Sequence, residues 1–150
     1  MRKELEGDMA FDGRVVIELV YSTPSGQKAL KAVESEALRP FVTEITLAEA
    51  RYVVCRKLGE LEANSRMKDF RESNFLTIEP LTPALSDYAA QYKCDRSLSL
   101  ADCFTIALGK SKAIPVLFAR KEKELEKEIK TKRFDMPIIF LEDQYTVEKE

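Results

Sequence analysis

Histidine and tryptophan are absent from this 150-residue sequence, and cysteine occurs only three times, with no Cys-x-x-Cys pair. Without imidazole or paired thiols a zinc centre is not expected. Cys55, Cys94 and Cys103 are widely spaced and odd in number, which fits reduced thiols in an intracellular protein better than a disulfide framework. No apolar run approaches the ~18 residues needed to cross a bilayer. The N-terminus "MRKELEGD" is too charged for a secretory signal, so the expectation is a soluble, cytoplasmic protein with no membrane partner. Bulk charge of one sign is also missing: the net charge is −2. Any contact with a polyanion must therefore come from a local basic patch.

Glutamine and asparagine are scarce, at three and two, whereas charged residues reach 33%. That exceeds the ~25% of ordinary soluble domains, and the excess is Lys and Glu, a composition that leans toward ion-pair-rich thermophile proteins. Length suits a single domain over 1–150, with 1–8 as a lead-in, Met9 as an alternative start, and 143–150 as a polar tail.

Short β-like runs alternate with amphipathic helices, a pattern that predicts a parallel sheet covered on both faces. The runs "DMAF", "FVTEI", "NFLTIEPL", "IPVLF" and "MPIIFL" read as strands. "GRVVIELVYS" fits a strand or a buried helix. Helices are expected from Ser25 until Pro40 breaks the pattern, over "TLAEARYVVCRKLG" with Thr46 as cap and Gly59 as stop, and from Glu60 to Ser73. Others are expected after Thr82 with Pro83 in the first turn, within "SLSLADCFTIALG", and from Arg120 to Lys132.

In an open α/β sheet, ligands bind beyond the carboxyl ends of the strands, so acids just past strands carry the most information. Asp12 closes the first strand, Glu49 falls in the first turn of the helix after the second, and Asp102 is the only charge in an apolar thirteen-residue stretch. Each has a purely structural alternative: Asp12 as a helix cap, Glu49 as the acid of a capping box, Asp102 as a charge near a helix N-terminus. Brought together, three carboxylates repel unless a cation intervenes. An all-oxygen set without histidine favours Mg²⁺ or Mn²⁺, ions that serve phosphodiester hydrolysis.

The segments "FDGRVVIEL", "VTEITLAEARYVVCRKLG", "LSLADCFTIALG" and "PVLFARKEKEL" together resemble, in order and spacing, the four motifs of PIN-domain proteins, over residues 9 to about 141. The resemblance implies a three-layer α/β/α sandwich around a mostly parallel sheet and a metal-dependent ribonuclease. Asp12, Glu49 and Asp102 would be its metal ligands. Glu122 would be the fourth catalytic acid, and Glu18 a residue that steadies the site. Many small members, common in archaea and bacteria, are VapC-type toxins held by a cognate antitoxin and often homodimeric, and an archaeal toxin of this kind is the expectation. Two departures stand out: Gly13-Arg14 replaces the hydroxylated pair after the first acid, and "FARKE" puts Arg120 where the family often has an acid.

Arg14 and Arg120 are the basic residues assigned to substrate, with Arg51, Arg56, Lys57 and Arg96 as further candidates for an RNA path and Tyr21, Tyr52 and Phe104 as available aromatics. The competing readings are a catalytically weakened PIN-like domain that binds RNA or protein, and a receiver-like domain. For the latter, no aspartate and lysine pair falls convincingly at the required strand ends.

Overall fold

A computed structural model describes residues 5–145. The elements in chain order are β1 (Gly7–Phe11), α1 (Gly13–Tyr21), α2 (Pro24–Glu34), β2 (Leu38–Val42), α3 (Glu44–Leu58), α4 (Glu60–Glu72), β3 (Thr77–Ile78), α5 (Pro83–Asp95), α6 (Leu100–Lys112), β4 (Val116–Phe118), α7 (Lys123–Thr131), β5 (Ile138–Phe140) and α8 (Leu141–Tyr145). The strands form one sheet in the order β3-β2-β1-β4-β5, and every neighbouring pair is parallel.

Strand alternation separates the core into two halves. Met9 and Phe11 of β1 and Leu117 of β4 face a layer that includes Val15, Leu19, Val33, Leu47 and Met67. Ala10, Val116 and Phe118 face the other side, against Leu85, Cys103, Ile106 and Leu125. Because both faces are covered, β4 and residues 9–11 of β1 are continuously apolar instead of alternating. The expected three-layer α/β/α sandwich is the observed fold.

The chain runs outward from β1 through β2 to β3, then returns to β4 on the other side of β1 and continues to β5. The direction of winding thus reverses between β1 and β4, and the crevice beyond their carboxyl ends is where such sheets take ligands. Asp12 and Ala119 each follow directly on these strands, and the Asp12 N–H donates to the Leu117 carbonyl at 3.0 Å.

Several boundaries differ from those read in the sequence. "GRVVIELVY" is helical, which settles its ambiguity. The second strand is Leu38–Val42, not 41–45, and it contains Pro40, opposite Met9. Its outer neighbour β3 pairs only with Phe41 and Val42, so one side of β2 is free at Pro40, where a missing N–H is tolerated. Thr23, not Ser25, caps α2, with Pro24 in the first turn. Thr43, not Thr46, caps α3 and accepts from the Thr46 N–H at 3.4 Å. Gly59 ends α3 and opens α4 at φ 94°, a backbone region that favours glycine. The third strand has two residues instead of eight. The lead-in is not separate from the fold: Leu5 is buried in the core and β1 begins at Gly7, while residues 1–4 lie outside the described residues. Likewise α8 extends to Tyr145, into the expected tail, whose residues 146–150 lie outside the description.

Candidate active site

A cleft of about 600 Å³ opens at the reversal point, and Asp12, Arg14, Glu49, Asp102, Arg120 and Glu122 all line it. The six residues come from β1–α1, α3, α6 and the β4–α7 connection. Sequence separation therefore concealed a single site.

Asp12 is 3% exposed. It is the N-cap of α1, and its carboxylate accepts from the Arg14 N–H and, at 3.3 Å, from the Ala119 N–H. The capping role is real and coexists with a place in the cleft. Burial pushes its carboxyl up to about 8 from an ordinary 3.8, against the pull of the Arg14 amide, and the nearby Asp102 and Glu49 push it further.

Glu49 is half-buried in the second turn of α3, so the predicted capping box does not form. Burial and the charge of Asp102 hold its carboxyl above the usual range, opposed by Arg14 and by a hydrogen bond from the Gly13 N–H. That seat depends on glycine: a Cβ built at position 13 would fall on Glu49 Oε1 and lie 2.9 Å from its Cδ. Gly13, a departure from the family pattern in the sequence, is thus occupied space for a site acid.

Asp102 stands in the first turn of α6, where its N–H donates to the Ser99 Oγ cap at 3.1 Å. Burial raises its carboxyl, the Ser99 hydroxyl opposes this by hydrogen bonding, and Glu122 adds repulsion. Glu122 occupies the N-cap position of α7 without making a side-chain cap bond, leaving its exposed carboxylate facing the cleft.

The remaining sequence candidates divide. Glu18 lines the cleft and accepts from the hydroxyls of Thr23 and, at 3.3 Å, Ser25, tying α1 to the start of α2. Arg14 and Arg120 are exposed at the rim. Arg96 is no RNA ligand: it is buried, donates to the carbonyls of Lys132 (2.7 Å) and Arg133 (3.2 Å), pairs with Glu128 at 3.6 Å, and stacks on Phe134. Arg51 is bonded to Asn64 between α3 and α4, Lys57 lies over Tyr21, and none of these lines the cleft. Phe104 packs against the core. Sequence reasoning missed Ser99, although Ser99-x-x-Asp102 carries the spacing of a cap, and missed the backbone N–H of Ala119, which leaves no mark in a sequence.

Among the described residues no three acidic or cysteine side chains stand ready-made as a cation site. The donor chemistry nonetheless fits one. The carboxylates raise one another's pKa, the buried Asp12 carboxylate accepts from backbone amides, and all the donors are hard oxygens.

The PIN-domain family model matches residues 9–127. The chain belongs to the PIN-domain family. Among solved structures, a VapC20 toxin from Mycobacterium tuberculosis that cleaves the sarcin-ricin loop superposes with a TM-score of 0.62 at 17% identity, covering 79% of this chain and 93% of that one. VapBC2 from Rickettsia felis, bound to a promoter DNA fragment, gives 0.67 at 13% identity over 89% and 98%. FitAcB from Neisseria gonorrhoeae gives 0.62 at 17% over 87% and 96%. At these identities the likeness is one of fold. No curated protein matches the chain by sequence. In this PIN domain Asp12 lies at the switch point and Asp102 in the first turn of α6.

Proposed function

We propose that this PIN domain is a metal-dependent endoribonuclease, the toxin of a VapBC-type pair. The observation that carries the reading is the convergence of Asp12, Glu49, Asp102 and Glu122 on one cleft, with Asp12 buried and its carboxyl pushed up to about 8. Family membership supplies the reaction class, and the VapBC and FitAcB neighbours support an antitoxin as partner. The proposal extends to a cytoplasmic homodimer acting on RNA.

Asp12, Glu49 and Asp102 would hold Mg²⁺ or Mn²⁺, with Glu122 as the fourth acid. The ion, when bound, lowers the pKa of water and offsets charge that develops on a scissile phosphodiester. The protein groups do the positioning. Amides of Arg14 and Ala119 fix the Asp12 carboxylate, the Gly13 amide fixes Glu49, and the Ser99 hydroxyl fixes Asp102. Arg14 and Arg120, charged and exposed on the rim, neutralise phosphates of the bound strand.

The test is cleavage of a mixed-sequence RNA with Mg²⁺, Mn²⁺ or EDTA. Cutting should require the metal, fall by at least about 100-fold in Asp102→Asn, as loss of a group that stabilises developing charge commonly does, and fall less in Glu122→Gln. A second reading, a weakened PIN domain that only binds RNA or protein, is favoured by Arg120 at the place of a family acid. Metal-independent binding with no cutting under any condition selects it.

A further inference from the structure

Tyr52 is the one large apolar side chain at least a third exposed that also lines the acidic cleft; Leu58, Leu61, Ile78, Leu81, Tyr88 and Leu100, the others among the described residues, do not line it. It is 48% exposed. Tyr52 follows Glu49 by three residues on α3, so the ring and the site acid share a helix face. One turn further, the Arg56 guanidinium lies 4.9 Å from the ring centroid. A cation stacked on an aromatic fixes the ring and keeps it from folding down onto the core. About half of the tyrosine remains exposed beside the carboxylates, with Arg14 and Arg120 on the same cleft.

We infer that Tyr52, braced by Arg56, is a stacking platform for an unpaired base of a single-stranded RNA whose phosphate enters the cleft. The inference rests on the ribonuclease reading and narrows its substrate to RNA with an unstacked nucleotide next to the scissile bond. A base and a tyrosine ring share flat π-faces, so stacking tolerates sequence and requires the base to leave any duplex. The mixed aromatic and cationic surface, set beside the carboxylates with Arg14 and Arg120 on the same cleft, suits a base together with its phosphate.

The experiment measures binding of a fluorescein-labelled, mixed-sequence single-stranded RNA, and of the same strand in a duplex, to the Asp102→Asn chain, which keeps the RNA intact. Adding Tyr52→Ala or Tyr52→Leu should weaken single-strand binding about 10-fold, within the range measured for one stacked base, and leave duplex binding unchanged. Tyr52→Phe should restore it, since the π-face and not the hydroxyl is used. Leucine retains apolar bulk without a π-face, which separates stacking from area, and a thermal melt confirms that each variant folds. The inference is overturned if Tyr52→Ala binds the single strand as tightly as its parent, or if single strand and duplex lose affinity equally. It is overturned in favour of a contact between copies if sedimentation shifts while RNA binding does not. Failure of both the Asp102→Asn parent and the unaltered chain in EDTA to bind any RNA, with no cutting by the unaltered chain in Mg²⁺ or Mn²⁺, overturns the ribonuclease reading itself, an outcome distinct from loss of the ring effect.

Discussion

At the scale of single residues, the space at position 13 decides where the second acid sits. A methyl group there would strike the end of Glu49 and push it off the Gly13 amide. Position 13 has no positive φ, so alanine is conformationally acceptable, and the cost of Gly13→Ala is the displacement alone. Gly13→Ala should weaken Mn²⁺ binding on the order of 10-fold, as loss of a group that orients a ligand commonly does. In a Glu49→Ala background the same change should cost nothing. Calorimetric titration of the four proteins checks this, and additive losses would mean that the two positions act independently. That Asp12, Glu49 and Asp102 share one cleft was legible in sequence because each falls just past a strand or near the start of a helix beside the sheet's carboxyl edge. The role of Gly13 was not, since a glycine shows what it leaves room for only when the neighbour from another helix is known.

Among the elements, α6 shows how a helix start becomes part of a site. Ser99 caps the helix through the Asp102 N–H and also hydrogen-bonds the Asp102 carboxylate. Ser99→Ala should lower stability by about 1 kcal/mol, the usual worth of such a cap, as read from urea unfolding. RNA cleavage should fall beyond what that loss explains, and Ser99→Thr should recover both. Element order and most element types followed from apolar periodicity, α1 being left open between strand and helix and α8 not expected, while boundaries failed where the sequence offered two equivalent signals. Thr43 and Thr46 are both competent caps, and the pairing of Leu38 to Phe41 with β1 chooses the first. That choice moves Glu49 out of the first turn and into the cleft. The two-residue β3 was read as eight because an edge strand stops where its neighbour stops pairing, which local sequence does not record.

For the molecule as a whole, the acid cluster is a source of instability that a cation would relieve. With a native Asp12 pKa of about 8 and an unfolded value near 3.8, the folded chain keeps a proton that the unfolded chain has already released between those limits. Stability of the metal-free protein therefore falls as pH rises from about 4 to 8 and levels above that. Raised carboxyls at Glu49 and Asp102 act in the same direction. Thermal melts in EDTA should show this slope, Mg²⁺ should flatten it, and a midpoint that rises over the same interval would contradict the buried state of Asp12. The Asp12 carboxylate is completed by an amide 107 positions away, across the junction of β1 and β4. At ribosomal rates of ~5–20 residues per second, roughly 5 to 20 s of synthesis separates the first acid from the strand that finishes its surroundings. A nascent chain paused within that interval has Asp12 but lacks the Ala119 amide and Glu122, so on the proposed ribonuclease reading the messenger being read meets an assembled cleft only after its own translation has passed β4 and reached α7.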